Sequence, residues 1–155
     1  MADKPTFIDV ADSFLEFIDG AMLVAHNATF DLGVIQDSTW AAGLPCPRLR
    51  FGCTLLLARR HYDLPSYTLD VVAEAAGVRL DRHHDALSDA RAAAEVLLRI
   101  AQDCGTSSVN ETFALHGVAL GWSRGPDAAP CRVVGRSRWE RSTPGQDVPA
   151  PSTLW

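Results

Sequence analysis

The chain has 155 residues, 47% of them hydrophobic and 21% charged, with a formal net charge of −5, which fits one domain with a real core. The negative balance excludes a protein that grips nucleic acid through bulk charge, so a local basic groove or bound cations would have to offset phosphate repulsion. No apolar run is long enough to span a membrane, the start Met1-Ala2-Asp3-Lys4-Pro5 has no signal-peptide character, and Cys46, Cys53, Cys104 and Cys131 form no C-x-x-C pair, so free thiols in a reducing cytoplasm are expected.

Thr6-x-x-Asp9 opens the chain as a capping box with Asp in place of the usual Glu. Phe7, Val10, Ala11, Phe14, Leu15, Phe17 and Ile18 then recur at helical spacing up to Gly20, a good C′ residue. Met22-Leu23-Val24-Ala25 is a continuous apolar run and reads as a buried strand. It ends in His26-Asn27, with Asn27 as N-cap of a helix carrying Phe30, Asp31, Leu32, Val34 and Ile35.

Gly43, Pro45 and Pro47 mark a loop, residues 50–53 a second strand, Thr54–His61 a helix and residues 68–76 another, stopped by Gly77. A long helix starts near Leu87, its stripe formed by Ala90, Ala93, Ala94, Leu97 and Leu98. Ser108-x-x-Glu111 is a further capping box for a short helix ending near Gly117. Domain residues are therefore expected over 1–121, and residues 122–155, rich in Gly, Pro, Ser and Arg, as a flexible tail or linker. Arg124, Arg132, Arg136, Arg138 and Arg141 make that tail weakly basic.

Two segments place carboxylates at helix starts beside polar neighbours: His26-Asn27-Ala28-Thr29-Phe30-Asp31 and His84-Asp85-Ala86-Leu87-Ser88-Asp89. Hydrolysis of a phosphodiester with two metal ions needs such a supply, because hard cations take a few carboxylate oxygens and a histidine can accept the proton of the attacking water. The bland reading makes Asp31 and Asp89 helix-dipole partners and the histidines ordinary loop residues. His61 and His116 have no motif context and are expected at the surface, and His83 as a solvated neighbour.

Taken in order, H-N-x-x-F-D and H-x-A-L-x-D-A resemble the second and third motifs of the DEDDh (DnaQ-like) 3′–5′ exonucleases, which include the proofreading epsilon subunit of bacterial DNA polymerase III. The resemblance covers roughly residues 6–101, with Leu55-x-x-Ala58-Arg59 and Tyr67-x-Leu69 between the two motifs. It implies an α/β, RNase H-like fold, Asp31 and Asp89 as ligands of two divalent ions (Mg²⁺ or Mn²⁺), and His84 as general base. It also implies that the backbone at His26 and Asn27 and the ring of Phe30 lie against the terminal nucleotide of a single-stranded 3′ end of DNA or RNA. The family's first motif, D-x-E on the first strand, has no counterpart in the twenty-five residues before His26, since Asp9 and Asp12 are three apart and inside a helix. The resemblance then implies a chain that starts inside its domain, lacks the first three strands, leaves a mostly helical remainder, and takes a polymerase or an N-terminal segment as partner. A second reading is a non-catalytic nucleic-acid-binding or interaction remnant. A third takes His84-Asp85 as the H-D pair of an HD-type phosphohydrolase, which leaves H-N-x-x-F-D unexplained.

Overall fold

The computed structural model describes residues 4–80 and 85–137. In chain order these form α1 (Phe7–Ile18), β1 (Met22–Ala25), α2 (Ala28–Ala41), β2 (Leu49–Cys53), α3 (Thr54–His61), α4 (Leu69–Ala75), α5 (Ala86–Cys104), α6 (Val109–Leu115), β3 (Val118–Ala119), β4 (Gly121–Arg124), β5 (Asp127–Ala129) and β6 (Arg132–Val133). At the start of α1 the Asp9 carboxylate accepts from the Thr6 N–H at 2.7 Å and the Thr6 hydroxyl at 2.6 Å, so the shorter Asp does the work of Glu in the box.

The main sheet runs β1-β2-β4-β5, with β1 and β2 parallel and both later pairings antiparallel, and β3 pairs with β6 in a separate ribbon. The parallel pair is joined through α2, a βαβ unit. Alternation along β2 sorts the layers. Leu49, Phe51 and Cys53 pack with Ile18, Ala28 and Leu32 of α1 and α2. Gly52 faces the other way, towards Phe113 of α6, in a second core built from Leu57, Val72, Val96, Ile100 and Phe113. The sheet is thus covered by helices on both faces, and the chain is a mixed α/β domain.

Three expectations are corrected. Residues 122–133 are not a tail: β4 extends β2, and the Gly125 turn (φ 61°) returns the chain as β5, two strands beyond the pair expected at residues 22–25 and 50–53. Arg124 and Arg132 lie on strands; Arg138 and Arg141 are outside the described residues. On α5 the buried face is Ala92, Ala93, Val96, Leu97 and Ile100, whereas Leu98 is 59% exposed. The helix meets the core about one residue out of phase with the expected stripe, because Val96, Leu97 and Ile100 pack in one cluster with Leu57 of α3, Val72 of α4 and Phe113 of α6. Finally, β1 is half-buried rather than buried, since it is an end strand of the sheet among the described residues. Among those residues no helix is long and apolar enough to cross a membrane.

Gly52 tests the layer packing. A Cβ there would stand 2.7 Å from Cζ of Phe113, a ring buried in the core. Gly52→Ala is expected to destabilise the fold by about 1–3 kcal/mol through overpacking, read as a lower denaturant midpoint with an unchanged m-value.

Candidate functional site

The carboxyl end of β1 delivers the chain to His26 and Asn27, and α2 starts immediately after. Asn27 occupies the N-cap position but in the left-handed region, φ 74° and ψ 49°, the single non-glycine with positive φ among the described residues. Asn tolerates this conformation better than most residues. Contrary to the capping expectation, its side chain makes no cap bond and is exposed, so its amide is available to a ligand.

His26 is held from both sides. Its Nε2 lies 2.8 Å from the Tyr67 carbonyl oxygen and its Nδ1 3.0 Å from Oγ1 of the buried Thr54. A carbonyl only accepts, so Nε2 carries the hydrogen and Nδ1 accepts from Thr54. Burial pushes the His26 pKa down, opposed by the Tyr67 bond and reinforced by the Arg59 charge. With both ring nitrogens committed, His26 fixes the turn and contributes its backbone to the site. Tyr67 is itself anchored by its hydroxyl, which donates to the Tyr62 carbonyl at 3.0 Å.

A histidine held neutral in the fold makes stability pH-dependent. In the window between the ordinary value of 6.5 and the lowered one, the unfolded chain binds the proton and the folded chain does not. Stability is therefore full above that window and falls as pH drops through it. His26→Gln keeps a donor for Tyr67 and removes the titration, so its acid melting profile is expected to lack this component of the wild-type loss.

Asp31 lies in the first turn of α2 and Asp89 in the first turn of α5, where the helix dipoles favour anions. α5 packs against β1 and is capped by Asp85, whose side chain accepts from the Ser88 N–H at 3.0 Å. The two helix starts therefore converge beside the end of β1. Between them is a cleft of about 520 Å³ lined by Asp31, Asp89, His26, Phe30 and an apolar wall that includes Leu23, Ala25, Phe14 and Leu69. Clefts at strand carboxyl ends are the usual ligand sites of α/β sheets. Phe30 is 70% exposed, an aromatic face presented to solvent at the cleft.

Two features of the carboxylates bear on what the cleft can hold. The Asp31 carboxyl is pushed up by desolvation, offset in part by a backbone hydrogen bond. Oδ1 of Asp89 is buried with no hydrogen-bond partner among the described residues, an arrangement that costs free energy unless something binds there. Two carboxylates with an unsatisfied oxygen, at positive helix ends, form a donor set that fits a hard divalent cation.

Of the sequence-derived site residues, the fold brings together Asp31, Asp89, His26 and Phe30, with Asn27 beside them at the start of α2. His84 and His83 lie outside the described residues. His61 and His116 are corrected: they are 6% and 0% exposed, buried at helix ends rather than on the surface. The pattern reading also missed Thr54 and Tyr67 as the pair that holds His26, and Phe14 and Ala86 as cleft walls. No local spacing connects those positions.

An α/β domain with paired carboxylates facing a cleft at a strand end is the frame of a phosphodiester-cleaving nuclease. The chain belongs to the RNase T exonuclease family, whose model, described as "Exonuclease", matches residues 1–97, and it is DnaQ-like. It is 42% identical over 113 residues to the PolC-type DNA polymerase III of Caldanaerobacter subterraneus subsp. tengcongensis, covering 70% of this chain and 8% of that protein. It is 36% identical over 123 residues to the DNA polymerase III epsilon subunit of Salmonella typhimurium, covering 76% of this chain and 49% of that protein, and 34% identical over the same length to its Escherichia coli K12 counterpart. The chain thus spans about half of the epsilon subunits it matches and a small fraction of the PolC-type polymerases.

Proposed function

We propose that this chain is a metal-dependent 3′–5′ exonuclease that removes nucleotides from single-stranded 3′ ends, of DNA in preference to RNA, and works in the cytoplasm beside a polymerase. The observation that carries the reading is the pairing of Asp31 with the unsatisfied Asp89 carboxylate in one cleft under an exposed Phe30. Asp31 and Asp89 would hold divalent cations, Mg²⁺ or Mn²⁺, whose charge neutralises the scissile phosphate. His84, carried over from the family motif, takes the proton of the attacking water. Phe30 offers a ring for stacking the terminal base, a contact worth about 1–3 kcal/mol and indifferent to sequence, and the Asn27 amide offers polar contacts beside it. DNA is preferred because the relatives in this region are named as DNA polymerase III proteins.

The exposed Phe30 ring and the uncommitted Asn27 side chain would equally serve a second reading, a non-catalytic nucleic-acid-binding module. A single assay separates the two. The purified chain is incubated with a 5′-labelled single-stranded oligonucleotide in Mg²⁺, Mn²⁺ or EDTA. A ladder shortening from the 3′ end, present with metal and absent in EDTA, is the expected result. A folded chain that binds the oligonucleotide and leaves it intact overturns the exonuclease in favour of the binding module.

A further inference from the structure

The histidines expected at the surface meet a cysteine in the interior, away from the cleft. Nδ1 of His61 is 3.1 Å from Nε2 of His116, and Sγ of Cys104 is 3.8 Å and 3.9 Å from those same two atoms. Among the described residues this is the one group of three or more potential ligands whose donor atoms all lie within 4.8 Å of one another. None of the three lines the cleft. We infer that His61, Cys104 and His116 form a second, structural metal site, selective for zinc.

Geometry supports the assignment. A triangle with edges of 3.1, 3.8 and 3.9 Å has a circumscribed radius of about 2.1 Å, against zinc–nitrogen bonds of about 2.0–2.1 Å and zinc–sulfur bonds of about 2.3 Å. A tetrahedral zinc ion lifted out of that plane towards a fourth ligand reaches all three atoms once they shift by a few tenths of an ångström. Two imidazoles and a thiolate suit zinc, whereas magnesium prefers oxygen. The fourth position is left to water.

The surroundings are those of a ligand set. The outer nitrogen of His116 already has a partner, Nδ1 lying 2.7 Å from the Thr112 carbonyl, and Oδ2 of Asp103 stands 3.5 Å from Nε2 of His61, placed to accept from it once that nitrogen carries the proton. Carbonyl and carboxylate partners on the outer nitrogens fix the tautomers of ligating histidines. Because Thr112 accepts from Nδ1–H, Nε2 of His116 already carries its lone pair inward. His61 needs one adjustment: its ring proton moves from Nδ1, where it bonds His116, to Nε2, where it stays and donates to the Asp103 carboxylate. The Cys104 thiol proton is then the single proton released on binding.

Helix ends supply the field. His61 is the last residue of α3, Cys104 the last of α5 and His116 the C-cap of α6. Three helix C-termini, each carrying partial negative charge, converge on one point. Arg60, which donates to the His116 carbonyl at 3.2 Å, and Arg99, which pairs with Asp103 at 2.9 Å, work against a cation, and the thiolate and Asp103 balance them. Bound metal would tie residues 43 and 12 positions apart and so clip α3, α5 and α6 together.

The test reads metal, not catalysis. The metal-free chain is titrated with zinc chloride and, separately, with cobalt(II), and bound metal is counted after gel filtration. The site predicts one zinc per chain, retained in an Asp31→Asn/Asp89→Asn double variant, and a thiolate-to-cobalt charge-transfer band. Cys104→Ala is expected to lose both, and Asp103→Asn to bind zinc about 10–100-fold more weakly. Should Cys104→Ala fail to fold, the cobalt spectrum of the unaltered chain still decides. A chain that takes up no stoichiometric zinc, a cobalt spectrum without the thiolate band, or a folded Cys104→Ala that binds zinc as before overturns the site.

Discussion

Asp89→Asn is expected to slow metal-dependent nucleotide release about 1,000-fold, and Asp31→Asn similarly, in the labelled-oligonucleotide assay. The size follows from the role: a cation at the scissile phosphate contributes several kcal/mol of transition-state charge stabilisation, and each 1.36 kcal/mol is tenfold in rate. The stability of Asp31→Asn separates a ligand from the bland alternative. If Asp31 merely served the dipole of α2, neutralising it would cost the fold about 0.3–1 kcal/mol. Desolvation instead raises its pKa, so the folded chain binds the proton more readily than the unfolded one. Wild-type stability then gains as pH falls from above the raised value towards the ordinary one, and the charged form is the less favourable at neutral pH. The metal-free Asp31→Asn chain is therefore expected to melt higher than wild type at neutral pH, with the two curves converging in acid. A variant that loses activity and gains stability marks a residue kept for what it binds.

The parts of the molecule that were legible in sequence are those governed by local rules. Thr6 and Asp9, Ser108 and Glu111 marked helix starts because capping is a contact between residues three apart. Asp31 and Asp89 could be placed in first turns from the apolar periodicity that follows each, although Asn27 makes no cap bond, and the fold brings both to one cleft. What failed depended on distance in sequence. β4 reads Gly121-Trp122-Ser123-Arg124, and its buried positions are the small residues Gly121 and Ser123. A Cβ on Gly121 would strike the Phe51 ring, so the strand is built around large neighbours and shows no apolar alternation of its own. The phase of α5 was misjudged because Leu98 and Ala94 look like core residues until the positions of α3 and α6 are known. His61, Cys104 and His116 follow none of the short spacings by which metal sites are found in sequence, and only the convergence of three helix ends assembles them.

Phe113→Ala is expected to cost about 3–5 kcal/mol, the range for deleting a buried aromatic side chain whose cavity cannot collapse. Phe113 is 1% exposed and heads the fully buried side chains by volume. Its ring seals the contact of α6 with β2 at Gly52, where the absent side chain is what lets the two approach. Gly52 offers nothing that could swing into the vacated space, and the core cluster that Phe113 shares with Leu57, Val96 and Ile100 is carried by helices. Relaxation is therefore limited and the cavity penalty is paid almost in full. Set against the 5–15 kcal/mol by which native domains are stable, such a loss is a large share of the total. Chemical denaturation should show it as a lower midpoint at constant m. Phe113 does not line the cleft, which is built mainly from β1, α2 and the start of α5 with Phe14 and Leu69 as further walls, and Val24 alone both lines it and packs on the Phe113 core. Metal-dependent nuclease activity per folded molecule, measured well below the new transition, is accordingly expected to stay within about threefold of wild type, a change of under about 1 kcal/mol. A large drop in the activity of the folded fraction would show instead that α6 and the cleft move as one unit.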